Sequence, residues 1–104
     1  MEPTPIIMEK LEFQDMANGL RCLLITEQVS WERFPSFGEM VVKKLKASVV
    51  SKSTMVDMHL WKVRIQGFTF LLVFDDFPLG VTLEPETKGA SELLDSLRSQ
   101  LLPS

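Results

Sequence analysis

Apolar and polar residues alternate on both sides of Gln66-Gly67 over the stretch VDMHLWKVRIQGFTFLLVFDDFP, residues 56–78. A two-residue turn at this glycine predicts a β-hairpin in which Ile65 faces Phe68 and His59 faces Phe74. In this register one face is apolar throughout and carries Trp61, Val63, Ile65, Phe68, Phe70, Leu72 and Phe74. A slip of one residue would mix the two faces, so the pattern itself selects the pairing.

A second hairpin is predicted around Asn18-Gly19, a dipeptide that favours the tight type I′ turn. A two-residue turn here sets Asp15 opposite Cys22 and Phe13 opposite Leu24. Cys22 then lies on the inner face, where we interpret it as a buried structural thiol. Leu23 and Ile25 fall on the outer face as apolar exceptions.

Two amphipathic helices are predicted from apolar residues that recur at steps of three and four. The first presents Trp31, Phe34, Phe37 (or Gly38), Val41 and Leu45 on one face, after Ser30 as a plausible N-cap. Pro35 lies too deep for a helix begun at Trp31, so either the helix begins near Pro35 or the first turn is separate. The second presents Ala90, Leu93, Leu94, Leu97 and Leu101 and is expected to stop at Pro103.

The resulting order of elements is β-β-α-β-β-β-α, which predicts an α+β fold with an antiparallel sheet and two helices packed on one face. We expect residues 1–8 to be a flexible N-terminal lead-in and residues 9–104 to form a single α+β domain. Residues 48–54 are rich in β-branched residues but polar, as in an edge segment, and Val81 and Leu83 point inward from a short closing strand. The two hairpins can join through the first or the last strand.

Charge and composition exclude several classes of protein. The net charge is −3, and the one basic cluster, Lys43, Lys44 and Lys46, falls at the predicted end of a helix, where cations meet the negative pole of the helix dipole. We therefore expect no nucleic-acid partner. The single cysteine allows no internal disulfide, and the absence of a signal peptide and of a long apolar run favours a cytoplasmic protein with no membrane partner.

The hairpin register also brings together the chain's only histidine and two carboxylates. Asp57 falls opposite Asp76, His59 lies diagonally from Asp76 on the same face, and Asp75 points to the other face. Opposed carboxylates repel unless a cation lies between them, so Asp57, His59 and Asp76 are candidates for a metal or acid–base site. The simpler interpretation is a solvated hairpin end, and we assign no cofactor, catalytic residue or confident metal ligand.

Apolar residues on the predicted outer face of the sheet form a second candidate site. With both helices on the Trp61 face, the open face holds an apolar strip of Leu23, Ile25, Leu60, Leu71 and Val73. Contiguous exposed strips of this kind mark interfaces. The alternative is that the N-terminal residues or the segment 48–54 fold over the strip.

In size, acidity and α+β layout the chain is similar to small bacterial secretion chaperones and toxin-immunity proteins, a resemblance that implies protein binding and assigns no residue roles. We expect a non-enzymatic protein-binding module whose partner is another protein or a second copy in a homodimer. The alternative is a small metal- or acid–base-dependent enzyme using Asp57, His59 and Asp76. A further alternative is a small-ligand binder with an aromatic pocket between Trp31, Phe34 and Trp61.

Overall fold

A computed structural model describes residues 10–76 and 79–102 of the chain. The predicted lead-in at residues 1–8 lies outside this range, as do Pro103 and the turn residues 77–78. The described elements are β1 (Glu12–Asp15), β2 (Arg21–Thr26), α1 (Phe34–Lys44), β3 (Ser48–Thr54), β4 (Met58–Ile65), β5 (Phe68–Asp76), β6 (Leu79–Pro85), α2 (Lys88–Ser91) and α3 (Leu94–Leu101). The α+β fold predicted from the sequence is confirmed.

The strands form one antiparallel sheet in the order β1-β2-β6-β5-β4-β3. The two hairpins therefore join through the last strand, β6, which pairs with β2. The polar segment Ser48–Thr54 is a sixth strand at one edge of the sheet, beside β4. It lies at the edge and does not cover a face of the sheet.

The β4–β5 hairpin has the predicted register. Ile65 pairs with Phe68, and the ladder continues to His59 opposite Phe74 and Met58 opposite Asp75. Gln66 and Gly67 both have positive φ, 52° and 86°, as a type I′ turn requires. A backbone bond of 2.9 Å from the Asp76 amide to the Asp57 carbonyl extends the pairing by one more step.

The predicted register of the β1–β2 hairpin is wrong by one residue. Phe13 pairs with Leu23 rather than Leu24, because the loop holds three residues between Met16 and Leu20. The Gly19 amide donates to the Met16 carbonyl at 3.1 Å, and only Gly19 in this loop has positive φ. This is the turn-plus-bulge form of a hairpin loop, and a shift of one residue moves every side chain of β2 to the other face.

Helix α1 resolves the difficulty that Pro35 raised. Residues 31–33 form a separate turn, in which the Ser30 hydroxyl accepts from the Arg33 amide at 3.3 Å, and the helix proper begins at Phe34. Pro35 then lies in the first turn, where its missing amide hydrogen costs nothing. The helix ends at Lys44 with Leu45 as its C-cap, and Lys46, which has φ 53°, completes a Schellman motif closed by a 2.9 Å bond from the Ala47 amide to the Val42 carbonyl.

The second predicted helix is two helices, α2 and α3, separated by a turn at residues 92–93. The Leu93 amide bonds to the Ala90 carbonyl at 3.0 Å, one residue closer than in a regular α-helix. Thr87 caps the first piece, because its hydroxyl accepts from the Ala90 amide at 3.1 Å. The predicted apolar face survives the break, with Leu93 half-buried and the other four residues buried.

Side chains from the helices and from one face of the sheet form a single core. Its buried members include Phe34, Phe37, Val41 and Leu45 of α1 and its C-cap, Ala90, Leu94, Leu97 and Leu101 of α2 and α3, and the inward residues Trp61, Val63, Ile65, Phe70, Leu72, Phe74, Val81 and Leu83. The helices thus cover one face of the sheet, as predicted. Among the described helices, none combines the length and apolar character needed to cross a membrane.

Candidate functional site

The face of the sheet opposite the helices is the first candidate site, and we call it the open face. Strand pairing fixes its members, because alternate residues of each strand point to the same side. They are Glu12 and Gln14 of β1, Cys22 and Leu24 of β2, Gly80, Thr82 and Glu84 of β6, Thr69, Leu71, Val73 and Asp75 of β5, Met58, Leu60, Lys62 and Arg64 of β4, and Ser48, Ser51 and Ser53 of β3. The predicted placement of Asp75 on this side is confirmed, since it pairs with Met58 and Gly80.

Three of the five predicted strip residues lie together on the open face. Val73 pairs with Leu60, and Leu71 lies two residues before Val73 on the same strand. Leu60 and Leu71 are half-buried, whereas Val73 is 5% exposed. The predicted placement of Leu23 and Ile25 on this face is wrong. Both are 0% exposed and belong to the core under the helices, because of the one-residue shift in the first hairpin.

Leu24 and Met58 are apolar residues of the open face that the sequence prediction did not place there. Leu24 lies next to Thr82 of β6, and Met58 lies next to Asp75 of β5. The signal that could have identified Leu24 is the glycine in the first loop, which fits a three-residue loop as well as a two-residue one. The apolar run from Cys22 to Ile25 has similar residues on both faces, so the alternation of apolar and polar residues could not reveal the one-residue error in register.

A depression of about 260 Å³ lies in the open face between β2, β6 and the end of β4. Its lining consists of Gln14, Cys22, Leu24, Glu27, Met58, Val73, Asp75, Leu79, Gly80, Thr82 and Glu84. Gly80 contributes no side chain to it, and the Leu24 side chain lies 3.4 Å from the point where a Cβ of residue 80 would stand. The lining combines apolar Cys22, Leu24, Met58, Val73 and Leu79 with the carboxylates of Glu27, Asp75 and Glu84 and has no basic group, so the depression suits an apolar group or the long side chain of a lysine or arginine.

Cys22 lies in this depression and not on the helix-covered face that the sequence predicted. It is buried, as expected, with 5% of its surface exposed. Burial raises the pKa of the thiol above its usual value, and the nearby Glu84 carboxylate raises it further, while its backbone hydrogen bond has an opposite effect. A raised pKa keeps the thiol protonated and a poor nucleophile, which supports its interpretation as a structural cysteine.

Charges on the open face are separated by strand. Basic Lys62 and Arg64 lie on β4, and acidic Glu84 lies on β6, with Leu71 of β5 between Lys62 and Glu84. The other acidic residues of this face are Asp75 on β5 and Glu12 on β1. Glu86, just after β6, extends the acidic side, and the Lys62 Nζ is 4.0 Å from its carboxylate. These side chains are partly exposed to solvent, so the ion pair contributes little to stability and remains available to other partners.

His59, the second candidate site, is enclosed by aromatic rings. Its imidazole is 4.0 Å from the Trp31 ring, 5.0 Å from the Phe34 ring in a stacked arrangement and 5.7 Å from the Phe74 ring. Only 9% of the residue is exposed, and its Nε2 atom has no hydrogen-bond partner among the described residues. Burial lowers the pKa of His59, and the backbone of Trp31 opposes this in part. The imidazole is therefore neutral at physiological pH.

Asp57, His59 and Asp76 are not assembled into a metal site. Within residues 10–76 and 79–102, no group of three or more His, Cys, Asp or Glu side chains is arranged to hold a metal ion. The backbones of Asp57 and Asp76 do lie opposite each other, as predicted. His59 faces the core because the turn before α1 and the first residue of α1 cover that end of the sheet, and its ring packs against theirs. The aromatic residues Trp31, Phe34 and Trp61 likewise contact each other or His59, so the predicted ligand pocket is occupied by side chains.

Comparisons with known proteins identify a family and give no activity. A family described as "Protein of unknown function (DUF3630)" matches residues 11–102, and the chain therefore belongs to that family. No curated protein and no solved structure matches it significantly. The matched range includes every element of the fold, so both candidate sites lie inside the family domain.

Proposed function

We propose that this family member is a non-enzymatic protein-binding module that binds another protein through the open face. The observation that carries the proposal is the half-buried apolar pair Leu60 and Leu71, which lies beside Val73 in the middle of that face. Apolar surface in the centre of a sheet face is stabilised when a partner removes it from water, at about 25 cal/mol per Å².

The surroundings of this pair support an interface. Polar and charged side chains surround the apolar centre, with Lys62 on one side of Leu71 and Glu84 on the other. An apolar centre with a charged rim is the usual anatomy of a protein–protein interface. The depression beside it offers a place for one protruding apolar side chain of the partner, since such anchors dominate binding energy.

The enzyme alternative is less well supported. Its general base would be His59, but that imidazole is packed between Trp31 and Phe34 and lies 9% exposed. A general base must reach a proton on the substrate within hydrogen-bond distance. A cytoplasmic location forms part of the proposal, because a buried cysteine with a raised pKa is compatible with a reducing compartment.

A photo-crosslinking residue placed at Leu71 tests the proposal in the cells that naturally make the protein. The matched control carries the same residue at Lys44, which is exposed on α1. We expect a crosslinked protein from the Leu71 position that is missing from the Lys44 position, identified by mass spectrometry. Equal products from both positions, or none from Leu71, would reject the open face as a binding site.

Binding of the purified crosslinked protein then tests the surface quantitatively. Leu71→Asp should weaken binding by tenfold or more, because it places a charge in the desolvated centre of the interface. Val50→Asp is the matched control, since Val50 is 54% exposed on the edge strand β3. A loss of affinity with Val50→Asp and not with Leu71→Asp would mean that the partner binds the edge strand β3 and not the open face.

A further inference from the structure

We infer that the protein bound by the open face is a second copy of this chain, packed face to face about a two-fold axis that runs along β5. This inference rests on the proposed function, because it names the partner of the same surface. It is carried by the distribution of charge across three neighbouring strands, β4, β5 and β6.

The first step is the geometry of such a pair. A two-fold axis parallel to the central strand β5 places β4 of each copy over β6 of the other, because β4 and β6 flank β5 on opposite sides. Residues of β5 then meet their own copies on the axis. Interfaces of this kind are isologous, so one surface must be complementary to itself.

The second step is charge complementarity. Lys62 and Glu84 lie at the same level on either side of Leu71, since both pair with it. The axis therefore sets Lys62 of each copy opposite Glu84 of the other, with the two Leu71 side chains between the two ion pairs. Arg64 and Glu86 flank Thr69 in the same way, as shown by the 3.2 Å bond from the Glu86 amide to the Thr69 carbonyl. Two symmetric rows of opposite charge thus surround an apolar centre.

The third step is shape. Met58 and Gly80 lie at the same level on either side of Asp75. In the pair, the long Met58 side chain of one copy meets the position without a side chain in the other, above the 260 Å³ depression. Asp75 lies at the same level near the end of β5, at the rim of the pair, where solvent screens its charge from its own copy.

Pairing through the edge strand β3 is less favourable. The β3–β4 ladder has a bulge between Val49 and Ser51, and Lys52 lies within the strand. Bulges and lysines are the usual devices that prevent edge strands from adding further strands. These devices make the β3 edge a poor site for a second copy, so the open face is the better one.

Charge reversal tests the inference with the purified chain. Lys62→Glu and Glu84→Lys should each lower the dimer affinity at least tenfold, because each sets like charges against each other twice in the symmetric pair. An equimolar mixture of the two variants should restore dimers, since every facing pair is then again one acid and one base. The masses are measured by sedimentation velocity up to about 1 mM chain, where even a dimer with a Kd of about 1 mM is visible.

Three controls separate the possible outcomes. Lys44→Glu makes the same charge change on α1 and should leave the dimer intact, and Lys62→Gln should weaken the dimer less than Lys62→Glu does. Circular dichroism establishes that each variant is folded. A wild-type chain that is monomeric at about 1 mM, or a mixture that stays monomeric, would overturn the inference. The proposed function would survive that result if the Leu71 position crosslinks to a different protein.

Discussion

Replacing Gly38 by alanine tests the packing that sets α1 on the sheet. A methyl group built at Gly38 lies 2.6 Å, 2.8 Å and 3.2 Å from three ring carbons of Trp61. Ordinary carbon contacts are about 3.5–4.0 Å, so the ring or the helix must move by about 1 Å. Trp61 is 3% exposed, packs edge-on against Phe34 at 5.0 Å and has the Lys52 ammonium 4.1 Å above its ring. Such a ring has little freedom to move.

Two effects of opposite sign determine how much Gly38→Ala changes the free energy of unfolding. Alanine is favoured over glycine inside a helix by up to about 1 kcal/mol, whereas overpacking a buried site costs about 1–3 kcal/mol. Because the ring is held on several sides, we expect the upper part of that range and a net destabilisation of about 1–2 kcal/mol. Lys43→Ala measured against Lys43→Gly supplies the helix-propensity difference at an exposed position of the same helix.

A double-mutant cycle with Trp61→Phe separates the clash from any other effect. Phenylalanine lacks part of the larger ring, so Gly38→Ala should be neutral or stabilising in that background, a reversal of sign. The assay is urea unfolding followed by circular dichroism, with unchanged slopes required for comparison. The reasoning fails if Gly38→Ala stabilises the wild-type chain by the same free energy that separates Lys43→Ala from Lys43→Gly. It also fails if Gly38→Ala changes the free energy of unfolding equally with Trp61 and with Phe at position 61.

Two further substitutions test the helix end and the buried histidine. Lys46→Gly should stabilise the fold by about 0.5–1 kcal/mol in urea unfolding, because Lys46 has φ 53° and glycine adopts this conformation without steric cost. The control, Lys44→Gly, removes the same charge inside the helix and should destabilise the fold. His59 has a lowered pKa, so the unfolded chain binds its proton first, near about pH 6.5. The free energy of unfolding should therefore fall as the pH drops below about 6.5, relative to His59→Phe, and the two curves should run parallel above about pH 7.5. Parallel curves over the whole range would show that His59 titrates alike in both states.

Local chemistry explains why the β4–β5 hairpin could be predicted residue by residue. Its turn contains a glycine at a position of positive φ, and its two faces differ sharply in polarity, so only one register separates them. In the β1–β2 hairpin, apolar residues lie on both sides of β2, and Cys22 and Leu24 are buried as well as Leu23 and Ile25. With no contrast between the faces, the register depended on the loop length alone, and the glycine did not determine it.

The candidate site was predicted less completely, because it depends on contacts between distant segments. The apolar face of α1 is visible in the sequence, but the docking of the turn at Trp31 over His59 is a tertiary contact. The same limit applies to the strand order, since β2 and β6 are far apart in the chain and neither carries a local signal for the other. Leu60, Leu71 and Val73 were placed correctly because the β4–β5 register was correct.

The two faces of the sheet should respond independently to substitution, and this gives the proposals a further constraint. Trp61 and Leu72 pair on the helix side, whereas Leu60 and Val73 pair on the open side of the same two strands. A change such as Gly38→Ala acts on the first set and lowers stability without altering a surface on the other side of the sheet. Leu71→Asp acts on the half-buried residues of the open side, where the Lys62 ammonium can pair with the new carboxylate. The fold should therefore survive while binding is lost. If Gly38→Ala weakened association as strongly as Leu71→Asp, the binding surface would not be the open face.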